Sequence, residues 1–149
     1  MGQAREVMDR ITAAMNAKDK DMMARCYADE AVLVTPDRGE ITGRDKITSY
    51  LFQQWDAMPD VHYESVGKYE SGNTAIDEGI VTGTNTGELK LASGQSLPPT
   101  GKKIRVKSCD VGRVEDGACV YHRFYFDQLE FMAQVGMLPE SMTQQLSSH

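Results

Sequence analysis

Apolar residues recur at helical spacing from the start of the chain. Val7, Ile11, Ala14 and Met15, with Met8 beside them, predict an amphipathic helix over residues 2–17. Asp19 reads as the N-cap of a short second helix that carries Met22, Met23 and Cys26. Tyr27-Ala28-Asp29-Glu30 reads as a helix exit, residues 31–35 as a short strand stopped by Pro36, and residues 36–42 as a turn-rich loop. A third helix is expected over 44–57, with Ile47, Tyr50, Leu51 and Trp55 on one face and Met58-Pro59-Asp60 at its end.

The pattern then changes to strands. Residues 61–69 and 74–83 form two, with Ser71-Gly72-Asn73 as the turn between them. Residues 84–100 read as a strand followed by a loop across Pro98-Pro99. Strands are expected at 104–114 and 119–127, joined at Glu115-Asp116-Gly117-Ala118, because Asp-Gly accepts the positive φ of a primed hairpin turn. A last helix covers 128–135, with Gly136 as its C-terminal stop and Pro139 beyond it. Helices first and antiparallel strands afterwards predict the α+β class, with helices packed on one side of a sheet. A long meander must curl, and a curled sheet covered by helices leaves a concavity for a ligand. One domain is expected over 1–139, and residues 140–149 are expected to trail as a flexible tail.

Charge narrows the partners. The net charge is −6 and the pI about 5.0, which argues against nucleic acid, since phosphate binding needs a basic face. Lys102, Lys103, Arg105 and Lys107 cluster, and their spacing reads as one solvated strand face. No secretory leader and no bilayer-length apolar run are read from the sequence. Three cysteines, Cys26, Cys109 and Cys119, none in a Cys-x-x-Cys pair, suit buried thiols in a reducing cytoplasm. His62, His122 and His149 lie too far apart in sequence for a metal-ligand spacing, and no phosphate loop or nucleophile elbow is present.

The candidate chemistry lies in the last hairpin. With a two-residue Asp116-Gly117 turn, Asp110 would lie opposite Arg123 and Val106 opposite Asp127. Ser108, Asp110, Tyr121, Arg123, Tyr125 and Asp127 would then share one face, and His122, Phe124 and Phe126 the other. A carboxylate in an apolar pocket can exchange protons near neutrality. Asp127 followed by Gln-Leu-Glu-Phe reads equally as the cap of the last helix, and Asp110–Arg123 as a cross-strand ion pair. A bulge in the hairpin would change this register. Tyr27 and Trp55 carry polar handles suited to a pocket wall, whereas Phe52 and Met58 read as core.

Several strings taken together resemble the SnoaL-like polyketide cyclases of the nuclear-transport-factor-2-like (NTF2-like) superfamily. They are Trp55 with Met58-Pro59-Asp60-Val61-His62, Gly83-Thr84-Asn85-Thr86-Gly87, Leu97-Pro98-Pro99-Thr100-Gly101-Lys102-Lys103, Arg113-Val114-Glu115-Asp116-Gly117, His122, Asp127, and Gln134-Val135-Gly136-Met137-Leu138-Pro139. The resemblance implies a cone of three or four helices on a strongly bent sheet, a deep pocket, and a homodimer through the sheet. It implies cofactor-free, metal-free closure of a ring by intramolecular aldol condensation, with Asp127 as general acid/base beside His122. Tyr27, Trp55, Asp110, Arg123 and Tyr125 would form the substrate pocket for a small apolar or aromatic carbonyl compound. The sequence departs from the family's usual pattern at Asn85, where His is usual, and at Arg123, where Trp is common. Thr35 replaces the base of the related ketosteroid isomerases. Two other readings remain open: a non-catalytic, dimeric small-molecule-binding module, and an epoxide hydrolase-like enzyme using Asp110, Arg123 and Asp127.

Overall fold

The computed structural model describes residues 2–138 and 141–142. Most of the expected tail lies outside the described residues. Among the described residues four helices pack on one face of a six-stranded mixed sheet. In chain order the elements are α1 (Gln3–Ala17), α2 (Lys20–Arg25), β1 (Tyr27–Thr35), β2 (Gly39–Thr42), α3 (Arg44–Ala57), β3 (His62–Ser71) and β4 (Thr74–Thr84). They continue with β5 (Leu89–Lys90), β6 (Ser96–Leu97), β7 (Lys103–Glu115), β8 (Ala118–Phe126) and α4 (Gln128–Gln134). The sheet order is β2-β1-β8-β7-β4-β3, and every pair is antiparallel except β1 with β8. The expected α+β class with a curved, helix-covered sheet is what forms.

α1 buries Ala4, Val7, Met8, Ile11 and Ala14, one apolar stripe of a 3.6-residue repeat. It ends where Lys18 turns left-handed at φ 55°. Met8 presses on Gly112 of β7, where a Cβ would overlap its sulfur, so the missing side chain lets helix and sheet approach closely. Asp19 caps α2 by accepting from the Met22 amide at 3.0 Å. The basic cluster behaves as read: Lys103, Arg105 and Lys107 are exposed and alternate with buried Ile104 and Val106.

Three segments differ from the sequence reading. β1 begins at Tyr27, not at residue 31, because Tyr27 pairs in parallel with Cys119. The segment read as a loop after Pro36 contains β2, which returns antiparallel to β1. Residues 84–100 hold a separate two-stranded hairpin of β5 and β6. Parallel pairing with a distant strand is a tertiary choice, and local sequence does not report it.

The last hairpin decides the site. Asp116 and Gly117 take φ 51° and 78°, the expected primed turn, and Glu115 pairs with Ala118 and Val114 with Cys119 as the two-residue turn requires. The next pair is Arg113 with Tyr121, so Val120 is an extra, bulged residue. Beyond it Gly112 pairs with His122, Asp110 with Phe124 and Ser108 with Phe126. One inserted residue turns every later β8 side chain to the opposite face, because the strand repeat is two.

Candidate active site

The bulge assembles a constellation different from the expected one. Ser108, Asp110, Phe124 and Phe126 face the helices, together with His122. Arg123 and Tyr125 turn to the outer face, where the Arg123 guanidinium lies 5.6 Å and 6.0 Å from the Tyr121 and Tyr125 rings. The expected Asp110–Arg123 pairing and the Arg123–Tyr125 pocket wall are therefore corrected. Asp127 is exposed and caps α4 by accepting from the Glu130 amide at 3.1 Å. It does not line the cavity. Of its two open roles, the helix cap is the one the structure shows.

Between the sheet and the helices lies a cavity of about 400 Å³. Its wall is apolar, with Trp55, Met58, Val106, Phe124, Phe126 and Phe131 among its residues. Size and lining suit a small organic ligand. Trp55 is where the sequence put it. Met58, read as core, is both buried and part of the wall. Phe52 packs on Trp55 at 4.9 Å behind the cavity.

Asp110 is the acidic group on the sheet wall of the cavity, its side chain 17% exposed. Ser108 Oγ donates to its Oδ1 at 3.0 Å, and His122 Nε2 lies 3.2 Å from its Oδ2. His122 is wholly enclosed, edge-on to Phe124 at 4.4 Å. Its Nδ1 lies 2.8 Å from the Tyr27 hydroxyl. Tyr27, expected from sequence to be a pocket wall, does not line the cavity and stands behind His122. Burial holds its phenol well above the usual range, so the hydroxyl keeps its proton. In a neutral imidazole that proton is donated to Nδ1, which leaves Nε2 as the N–H facing Asp110. The chain Tyr27–His122–Asp110 thus runs from the core to the cavity.

Next to it stands a second carboxylate. Asp77 on β4 pairs directly with Asp110 on β7 and is 2% exposed. Arg5 of α1 donates to both its oxygens, at 2.7 Å and 2.8 Å, and to the Tyr69 and Ile76 carbonyls. Desolvation still raises the Asp77 carboxyl above its ordinary value, with Arg5 pulling the other way. Nothing in the sequence pattern signalled this pair, since its partners are far apart along the chain.

Asn85, where the family usually has His, is a buried latch. Its side-chain amide donates to the Ala57 and Gly87 carbonyls, and its Oδ1 accepts from the Thr100 amide and hydroxyl. Among the described residues no three His, Cys, Asp or Glu side chains gather as a metal-binding group. No helix among them is long and apolar enough to cross a membrane.

Comparison with known proteins agrees with this architecture. No curated protein matches the chain in sequence. A candidate SnoaL-like polyketide cyclase from Jannaschia sp. CCS1 superposes with a TM-score of 0.80 at 17% identity, over 92% of this chain and 94% of that one. A hypothetical protein of ketosteroid isomerase-like fold from Catenulispora acidiphila, solved with trimethylamine, gives 0.73 at 17% over 89% and 94%. An LEH-like epoxide hydrolase of M. tuberculosis gives 0.66 at 16% over 89% of each chain. At these identities the likeness is one of fold, which is the expected NTF2-like, ketosteroid isomerase-like cone. The SnoaL-like domain family matches residues 8–122, and to that family this chain belongs.

Proposed function

We propose that the chain is a cofactor-free acid/base catalyst of the polyketide cyclase type, acting on a small apolar carbonyl compound by intramolecular aldol cyclisation or a related isomerisation. The observation that carries this reading is Asp110 on the wall of an apolar cavity, backed by His122 and Tyr27. The role carried to Asp127 by resemblance passes to Asp110.

In this mechanism Asp110 takes a proton from the activated carbon next to a carbonyl, and the electron pair moves onto the carbonyl oxygen as an enolate. The enolate carbon attacks a second carbonyl of the same molecule, and the resulting alkoxide recovers the proton from Asp110. His122 Nε2–H holds the carboxylate in place, and Tyr27 holds the imidazole. Both nucleophile and electrophile belong to one bound molecule, so positioning in the cavity supplies much of the acceleration. The apolar wall keeps water from the enolate.

An epoxide hydrolase arrangement of Asp110, Arg123 and Asp127 is not supported, because Arg123 faces away from the cavity. A homodimer through the outer sheet face fits the row Tyr69, Ile76, Val111, Arg123 and Val34, which crosses five strands.

The test is exchange of the α-protons of 2-tetralone in D2O, followed by NMR. The wild type should accelerate it, Asp110→Asn should abolish the acceleration, and Asp127→Asn should retain it. Exchange unaffected by Asp110→Asn would leave a binding module.

A further inference from the structure

Tyr63 is a cavity residue that stands outside the Tyr27–His122–Asp110 chain. It stands on β3, is 6% exposed and lines the cavity. Its hydroxyl is buried and makes no hydrogen bond among the described residues. A buried, unsatisfied hydroxyl costs about 1–3 kcal/mol, so a position that keeps one has a use for it or a partner that arrives later.

The backbone beneath it shows where the hydroxyl is directed. The ring tip lies on Gly79 of β4, where a Cβ would overlap both Cζ and Oη of the phenol. Gly79 is paired with Ser108 of β7, and Ser108 Oγ donates to Asp110. Gly79 therefore forms a notch through which the phenol crosses β4 toward the Ser108–Asp110 pair. Phenylalanine would fill the same apolar space without an unsatisfied group. Burial, and then the charges of Asp110 and Asp77, hold the phenol above its usual range, so it remains a donor. Asp110 is an acceptor already engaged by Ser108 and His122. A cavity wall that carries the Asp110 carboxylate and the Tyr63 phenol matches a ligand that presents an acidic C–H next to an acceptor oxygen.

We propose that Tyr63 Oη donates the hydrogen bond that holds the ligand's carbonyl oxygen, with Gly79 as the notch that admits the phenol. This rests on the reading of the substrate as a carbonyl compound. It names the group that receives the charge when Asp110 removes the proton: the oxygen that becomes the enolate faces Tyr63, and the carbon that loses its proton faces Asp110. The hydrogen bond from Tyr63 Oη shortens as charge develops on that oxygen, and the phenol keeps its proton throughout.

The experiment uses 2-tetralone, with tetralin as the same ring system lacking the oxygen. Trp55 is the single tryptophan and lines the cavity, so its fluorescence reports entry of either compound. The carbonyl stretch of bound 2-tetralone reports the hydrogen bond directly. Wild type should bind 2-tetralone more tightly than tetralin and lower the frequency of the carbonyl band. Tyr63→Phe should bind 2-tetralone about 10-fold more weakly, lose that shift, leave tetralin affinity unchanged, and slow α-proton exchange about 100-fold. Asp110→Asn should abolish exchange while keeping the carbonyl shift. Absence of exchange in the wild type, with the shift present, would remove the acid/base reading and leave the Tyr63 anchor standing. A Tyr63→Phe protein with the wild-type carbonyl frequency and affinity overturns the anchor. A wild type that binds 2-tetralone no better than tetralin overturns it as well, whether or not the variant folds.

Discussion

Asp77 and Asp110 stand directly opposite each other on neighbouring strands, both turned to the helices, and each is held by a different cation or donor system. Like charges placed opposite each other on a sheet repel. The fold separates their roles by partner. Arg5 clamps Asp77 with a bidentate contact in the core, while His122 and Ser108 hold Asp110 at the cavity wall.

Breaking the clamp should be costly. Arg5→Met leaves Asp77 buried without its cation, and is expected to lose about 3–5 kcal/mol of stability in urea denaturation. Adding Asp77→Asn to that variant should recover most of the loss. If the two changes are additive, the pair is not coupled.

The same carboxyl gives a signed pH dependence. Its folded-state value is raised, so the folded chain binds that proton more tightly than the unfolded one. Asp77 therefore favours folding below about pH 3.9 and opposes it increasingly as pH rises to the folded value. Asp60 acts in the opposite sense, because hydrogen bonds from the Thr84 hydroxyl and amide lower its value. Its contribution is present above the unfolded value and is lost as pH falls through the folded one. Asp60→Asn should flatten the acid limb of a stability-against-pH curve, and Asp77→Asn should steepen it. Urea midpoints between pH 3 and 7 measure both.

The tautomer of His122 is open to direct observation. The wild type should show the Nε2–H form by ¹⁵N chemical shifts, because Tyr27 donates to Nδ1. Tyr27→Phe should reduce that preference and slow α-proton exchange about 10-fold. An unchanged tautomer would detach Tyr27 from the relay.

Asn85 should matter to stability more than to ligand chemistry. Asn85→Ala abandons four hydrogen bonds that tie the end of α3 to the approach of β7, and is expected to cost more than about 2 kcal/mol. Asn85→His cannot supply two donors and two acceptances at once and should not restore it. Hydrogen exchange at Gly87 and Gly101 would locate the loosening.

The proposed dimer would pair through the outer face of the sheet. Val111→Glu, in the centre of the Tyr69–Val34 row, should convert a dimer to monomers in sedimentation. A wild-type monomer would remove the dimer from the proposal.

The sequence by itself determined what depends on neighbours along the chain. The α1 stripe, the Asp19 cap, the Asp116-Gly117 turn and the alternation of Ile104 and Val106 with charged residues are all local, and they suffice for the α+β class. Trp55 and Asp110 were also legible as pocket candidates by residue type. Tertiary structure decided which face carries the chemistry. The extra residue Val120 shifts the register of β8, so His122 joins Asp110 while Arg123 and Tyr125 leave it. An insertion of one residue costs little locally and leaves no mark on composition, yet with a repeat of two it reverses a whole strand. Asp77, Arg5 and Tyr63 entered the site, and Tyr27 moved from its wall to behind His122, for the same reason: contacts between residues far apart in the chain are settled by packing, not by the pattern of any single segment.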